Sequence, residues 1–358
     1  MRSIVRSSAR RRIAICVAAL LQSEAPSPFV EQLRGDGATV REIRAGRRRY
    51  RREARELADL IREWGATVVH THVYHADFVG YWAARRCRLP VVATVHGFTG
   101  GDIRNRFYQW LDRRLLRRFD GVICVSQPVQ EILRGSGISE RRLHLVPNGY
   151  LEHDLLSRAA ARTRLALDQT GRVIGWVGRL SHEKGADQLL LALADGKLDQ
   201  TQAILIGEGP ERASLEAQIA ALGLEQRVRL AGHQEDASAL LPAFDLMVVS
   251  SRTEGTPMVL LEAMGAGVPI AAFAVGGIPQ VLDEESAWLI RPGDIKGLRD
   301  AIIHVMANPE EAGRRAGRGR GILREKFDAL RWLDQICRVY AQVETGPSEV
   351  GSTTTPVP

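Results

Sequence analysis

Residues 246–274 read LMVVSSRTEGTPMVLLEAMGAGVPIAAFA, and this stretch decides the fold class. Leu246–Ser250 and Ile270–Ala274 are short, nearly continuous apolar runs of strand length. Between them, Thr256 is placed to cap a helix and Pro257 suits its first turn. Gly265 and Gly267 suit the helix end, and Pro269 opens the next strand. Buried strand, helix and buried strand form the unit of a parallel sheet covered on both faces.

The alternation continues outward. Candidate strands lie at Ile13–Ala19, Thr67–Thr71, Val91–His96, Gly121–Val125 and Leu143–Val146, then at Val173–Val177, Ala203–Ile206 and Val228–Leu230. Helix-period stretches such as Tyr50–Trp64 and Glu211–Leu222 separate them. With the two quoted above, these ten strands predict two sheets of about five. The break falls after the turn signal Val146-Pro147-Asn148-Gly149, where a polar, Ala/Arg-rich helix at Arg158–Asp168 precedes a fresh strand. The fold class is α/β: two doubly wound Rossmann-like domains, 1–155 and 156–325, facing a cleft. Ligands of such sheets bind beyond the carboxyl ends of the strands. Residues 326–345 are expected to form a C-terminal helix packing back on the first domain, and 346–358 a disordered tail.

The 358 residues are 45% hydrophobic and 25% charged, which excludes wholesale disorder and fibrous repeats. Four scattered cysteines with no CxxC pair are neither a disulfide framework nor a zinc knuckle, and suit a reducing cytosol. Ile13–Leu21 is far shorter than the roughly 20 residues that cross a bilayer, and reads as a core strand rather than a signal peptide. The protein is expected to be cytoplasmic, soluble or peripheral on the inner face of the membrane. The net charge is +7, almost all of it from arginine, with eight arginines in Arg41–Arg55 and six in Arg104–Arg118. Such clusters are either solvated faces or contacts for a polyanion. In Arg104–Arg118, Phe107, Trp110, Leu111 and Leu115 form an apolar stripe opposite the arginines, suited to a protein core or to an anionic membrane surface.

Three loops carry the chemistry. The helix after Ser250 points its free amides and positive dipole end at the cleft, a site for an anion. Glu254 precedes that helix and Glu262 lies within it; phosphates would repel both, so their partners should be hydroxyls. In Gly178–Gly185 (GRLSHEKG), Arg179 and Lys184 can neutralise a diphosphate and stabilise it as it departs, while Gly178 permits close approach. Ile206–Arg212 (IGEGPER), with Glu208, reads as a wall of a nucleotide pocket or as a plain strand–helix turn; it lacks the last glycine of a dinucleotide fingerprint. Taken singly, each of these side chains also fits a capping or solvated role.

In combination, these motifs resemble the carboxyl-terminal domain of a family 4, GT-B fold glycosyltransferase, over about Val173–Val281. Glu254 and Glu262 form its EX7E pair. Weaker similarity covers the first half through VVHTH, VVATVHGFTGG, FDGVICVS and VPNG. The resemblance implies transfer of a sugar from a nucleotide diphosphate sugar with retention of configuration, no cofactor and no required metal. It implies that Arg179 and Lys184 hold the diphosphate and Glu262 the ribose, with Glu254 and the backbone amides near Gly255, Thr256, Pro257 and Met258 around the sugar. His96, followed by Gly97, would contact the donor sugar or reacting region, in a first domain that binds the acceptor. With no carboxylate nucleophile evident there, front-face displacement is the expected route. Acceptors in such a family are often lipid-linked, so the expected partners are a donor, a hydroxyl acceptor and an anionic membrane surface, without nucleic acid.

His70, His72 and His75 form an HxHxxH cluster, readable as metal ligands, as acceptor-site lining (His72) or as ordinary strand-end residues. One departure stands out: where many members carry a Gly-Gly loop after the first strand, this chain has Gln22–Pro28, and Pro26 and Pro28 remove amides that could meet a phosphate. A nucleotide-sugar epimerase or a phosphorylase of the same architecture, or a non-catalytic nucleotide- or polyanion-binding protein, would use the same features.

Overall fold

A computed structural model describes residues 2–11, 13–23, 25–44, 46, 49–97, 103–194, 198 and 200–345. The first half runs α1 (Arg2–Arg11), β1 (Cys16–Leu20), α2 (Pro28–Gly35), β2 (Thr39–Ile43), α3 (Tyr50–Trp64), β3 (Val69–His72), α4 (Tyr74–Cys87), β4 (Val91–Val95), α5 (Ile103–Leu116), β5 (Gly121–Cys124), α6 (Gln127–Gly135) and β6 (Leu143–Leu145). The second runs α7 (Arg158–Arg164), β7 (Arg172–Val177), α8 (Ala186–Leu193), β8 (Thr201–Ile206), α9 (Arg212–Ala221), β9 (Val228–Gly232), β10 (Leu246–Val249), α10 (Met258–Ala266), β11 (Ile270–Phe273), α11 (Ile278–Val281) and β12 (Trp288–Ile290). Three long helices close it: α12 (Ile295–Ala307), α13 (Pro309–Lys326) and α14 (Ala329–Thr345).

All strand pairs are parallel. The second half forms one six-stranded sheet in the order β12-β11-β10-β7-β8-β9; the first forms a four-stranded sheet, β3-β4-β5-β6, and the pair β1-β2. The fold is thus α/β with two Rossmann-like domains. In the larger sheet the chain moves outward from β7 through β9, then returns to place β10 on the other side of β7. The loops after β7 and β10 therefore leave in opposite directions at the switch point, which opens a crevice at the strand ends.

Two strands lie outside the ten expected. Thr39–Ile43 (TVREI) has exposed and half-buried positions with only Ile43 buried, so its charges obscure the apolar pattern. Trp288–Ile290 is a three-residue edge strand, too short to register as a period. The polar helix after the break is also less solvated than its composition implies. Arg162 of α7 is fully buried. Its Nε donates to the Ala243 carbonyl at 3.0 Å and its Nη2 meets Asp245 at 2.9 Å, so each charged or polar end is satisfied. Pro28, expected in an extended loop, starts α2.

The last helix crosses to the first half. Leu333, Ile336 and Val339 of α14 form one apolar cluster with Ile4, Val92, Ile123 and Val146. The Tyr150 amide also donates to the Phe327 carbonyl at 2.7 Å. Among the described residues no helix is long and apolar enough to cross a membrane; the tail expected at 346–358 lies outside them. Leu333 is fully buried, so Leu333→Ala should cost about 2–5 kcal/mol by cavity formation. Urea unfolding measures this, and a loss below about 1 kcal/mol would show that the helix is not packed into that cluster.

Candidate active site

The crevice depends on how closely two loops approach. Gly185, which ends the loop after β7, has φ +64°, and a Cβ there would collide with the Ser250 carbonyl oxygen at the end of β10. Three hydrogen bonds hold the contact: Ser250 Oγ donates to the Gly185 carbonyl (2.7 Å), Gln188 Nε2 to the Ser250 carbonyl (2.8 Å), and Trp176 Nε1 to Ser250 Oγ (3.2 Å). Arg252 adds a clamp across the loops. Its guanidinium holds both Asp187 carboxylate oxygens at 2.8 and 2.6 Å and donates to the His182 carbonyl at 2.8 Å.

Held this way, Lys184 and Glu254 meet although they lie seventy residues apart: Nζ stands 2.6 Å from Oε1. Ser251 Oγ donates to the same oxygen at 2.7 Å. Glu254 is nearly buried and the Lys184 side chain about one-third exposed. Arg179 stands exposed at the start of the same loop, next to Gly178. Glu262, within α10, faces the linker between the halves. Burial raises its pKa, His153 opposes that rise, and burial and then Glu262 push the Tyr150 hydroxyl up to about 12. Glu208 is turned onto Arg212 at 3.0 Å. Met258 is partly exposed at the first turn of α10.

Thr256 does not cap α10. Pro257 occupies the cap position without a side-chain bond. Thr256 is drawn instead to the other half: its Oγ1 donates to the Val125 carbonyl at 2.9 Å, and its carbonyl accepts from Asn148 Nδ2 at 3.0 Å. A side chain at Gly255 would strike the His96 carbonyl oxygen, and a Cβ on Gly97 would stand 3.6 Å from the Gly255 amide. Gly255 and Thr256 thus close the cleft floor against the strand ends of the first half. The helix end is as expected, with Gly267 in the left-handed region at φ 68°.

The histidines divide. His70 and His72 share a face of β3 and stack at 4.6 Å, and His72 stacks on His96 at 5.4 Å. His72 Nδ1 lies 3.1 Å from His96 Nε2. Beneath them, His70 bonds the Tyr340 hydroxyl (2.6 Å) and Thr94 (2.7 Å). His75 leaves the group for Glu53, 2.9 Å away. The HxHxxH cluster therefore does not assemble, and no three metal-ligating side chains gather among the described residues. Packing that shields the rings lowers His70 to about 3 and His96 to about 4, although His96 keeps an open edge toward the cleft. His72 falls well below its ordinary value by burial and then by the neighbouring imidazoles.

Sequence reasoning passed over Arg252, Asp187, Ser251, Asn148 and the His72–His96 contact. Apart from Ser251, which bonds Glu254 three residues on, each works through a partner distant in the chain, and only the Arg252–Ser251 neighbourhood of Glu254 offered a signal. A hollow of about 260 Å³ beside Arg158, Arg172 and Asp245 lies at the opposite, amino-terminal ends of the strands, away from this site.

Residues 157–321 match the family described as "Glycosyl transferases group 1", and residues 1–150 match "Glycosyltransferase Family 4". The chain is 30% identical to a 2-deoxystreptamine glucosyltransferase of Streptomyces kanamyceticus, across 76% of each chain. It is 29% identical to a phosphatidyl-myo-inositol mannosyltransferase of Mycobacterium leprae, across 79% of this chain and 75% of that one. Its fold is similar to that of Anabaena HepE, crystallised with UDP and glucose, at a TM-score of 0.82 and 24% identity over 95% of this chain and 94% of that one.

The depressed imidazoles have a measurable consequence. His70 and His96 should stay neutral from pH 8 to 5, whereas unfolded histidines bind a proton near 6.5. Their share of stability is therefore lost as pH falls below about 6.5, where the unfolded chain binds more protons. The imidazole Hε1 resonance of His96 should stay fixed over that range; a midpoint near 6.5 would show a fully solvated ring.

Proposed function

The chain belongs to the family 4 glycosyltransferases of GT-B fold, and on that footing we propose that it moves a sugar from a nucleoside diphosphate donor to a hydroxyl acceptor with retention of configuration. The observation that carries the donor site is the Lys184–Glu254 contact at the switch point. An ammonium has three N–H donors. One is engaged by Glu254, which leaves others for phosphate oxygens, so a single residue links the diphosphate end of the donor to the sugar end. Arg179, exposed beside it, and the amides at the start of α10 supply further positive potential. Glu254, held by Lys184 and Ser251, is then oriented to accept from a sugar hydroxyl. Glu262, near His153 and the linker, takes the ribose hydroxyls.

In the transfer step the anomeric C–O bond to the diphosphate breaks, and the acceptor oxygen bonds to that carbon from the same face. The acceptor's proton passes to the departing phosphate oxygen. Arg179 and Lys184 stabilise the charge that grows on that phosphate, the electrostatic contribution that dominates such reactions. These cations supply the counter-charge without a metal. His96, neutral and against Gly255, borders the sugar as a hydrogen-bonding group rather than as a charge. His72 and Gly97 line the acceptor side.

The protein is proposed to work in the cytoplasm on a lipid-linked or glycoconjugate acceptor, at the inner face of the membrane. Phe107, Trp110 and Leu111 of α5 are exposed instead of core-facing. Phe107 stacks on Trp110 at 5.8 Å, and the Arg114 guanidinium lies 4.2 Å above the Trp110 ring. Aromatic anchors flanked by arginines suit an interface of anionic lipid.

Lys184→Ala and Glu254→Gln should each lower turnover about a hundredfold or more while circular dichroism stays unchanged. The donor for this assay is first chosen by thermal shift against a panel of nucleotide sugars. Retained wild-type turnover in either variant would remove that residue from the mechanism; activity should survive EDTA, and product NMR should show the donor's anomeric configuration. In flotation with vesicles rich in phosphatidylglycerol, the wild type should rise with the lipid, and Trp110→Ser with Arg114→Ser should leave it below. Equal flotation of both would refute the membrane face.

A further inference from the structure

Beside the cleft, α3, α4 and α5 enclose a hollow of about 130 Å³ that the transfer mechanism does not use. The rings of Tyr50, Tyr74, Phe78 and Tyr108 line it, together with the His75 imidazole. Tyr50 meets Phe78 edge-on at 5.3 Å, and Tyr74 stacks on Tyr108 at 5.7 Å. Among these rings stands one carboxylate, Asp112. Its Oδ1 is buried and has no hydrogen-bond partner among the described residues.

A buried carboxylate oxygen without a partner is costly unless a ligand completes it. The neighbours do not neutralise it. Asp77 of α4, held well above the ordinary carboxylate range by burial and then by Asp112, hydrogen-bonds Asp112; Thr71 of β3 donates in turn to Asp77. Arg113 of α5 favours the charged form of Asp112, but burial outweighs it and sets Asp112 at about 6. The other titratable side chains nearby, His75, which also lines the hollow, and Glu53 of α3, bond each other at 2.9 Å. A carboxylate with an unpartnered oxygen therefore lines a hollow walled by aromatic rings. An aromatic enclosure with a carboxylate fits a cation that is poorly hydrated and partly apolar.

We propose that this hollow binds an alkylammonium group, with Asp112 as counter-ion and the rings of Tyr50, Tyr74, Phe78 and Tyr108 as its cage. Tyr74, one of the lining rings, begins α4 two residues after His72, which the reading above places on the acceptor side. Its use as the anchor for an amine-bearing acceptor rests on the transfer reading above; binding of the ammonium itself does not.

The experiment is calorimetric titration of the full chain, without donor, using choline chloride and its uncharged isostere 3,3-dimethylbutan-1-ol. Choline should bind saturably with one site, and the isostere at least tenfold more weakly. Asp112→Asn, which can still accept from Asp77, should abolish the preference for choline. Tyr108→Leu, which keeps the wall apolar but removes a π-face, should weaken choline more than the isostere. Choline affinity should fall about tenfold at pH 5, as Asp112 takes up a proton. Equal binding of choline and the isostere, choline binding that ignores Asp112→Asn, or no binding at all would overturn the proposal. Because no donor is present, a failure here is distinct from an unaltered turnover in Lys184→Ala, which would strike the transfer reading alone.

Discussion

The site exists because the backbone at Gly185 touches the backbone at Ser250. Parallel order alone brings the ends of β7 and β10 side by side, but at the switch point their loops diverge. A residue with no Cβ in the left-handed region, whose carbonyl accepts from Ser250 Oγ while Gln188 Nε2 donates to the Ser250 carbonyl, turns that divergence into a clasp. Lys184 and Glu254 are then neighbours by construction, and Arg252 closes the far side through Asp187. Loss of the clasp would free both loops while leaving the sheet intact, since the strands are buried and paired without them.

Electrostatically, the resting cleft avoids two opposite problems. A carboxylate where phosphates must approach would repel them, and an unpaired lysine in a narrow crevice would be poorly solvated. Pairing Lys184 with Glu254 removes both, at a site only partly open to water where the pair is shielded less than on a surface. A diphosphate bound as proposed would not need to break the pair, because it could take the remaining N–H donors of the same ammonium.

Much of this was legible in the chain itself. The strand–loop–helix pattern of 246–274, the paired glutamates and the cations of GRLSHEKG identify the sheet, the crevice and the Lys184 and Glu254 side chains. The misreadings share one cause: a residue whose local signature is answered by a distant partner. Thr256 looks like a helix cap and is one half of a bridge to Val125. Arg162 looks like a solvated arginine and is a buried ion held by Asp245. The three histidines look like one cluster, yet a helix start at Tyr74 carries His75 away from the strand face shared by His70 and His72. Periodicity reports which face of an element is apolar; it does not report which element comes to meet it.

The two sides of the cleft are consequently built on opposite charge logic. In the proposed reading the second half meets the donor with fixed cations and amide dipoles, which suits a ligand whose charge does not change on binding but grows on leaving. The first half offers neutral imidazoles. With His70, His72 and His96 all depressed by packing, three basic side chains contribute no positive charge at neutral pH. A charged imidazolium there would compete with Lys184 and Arg179 for the diphosphate and draw it across the cleft. A neutral one can only accept or donate a hydrogen bond, which is the interaction a hydroxyl acceptor requires. The chain's net charge of +7 counts every histidine as neutral, so these imidazoles leave it to the arginines and lysines, and the proposed diphosphate site is on the half that carries the clasp.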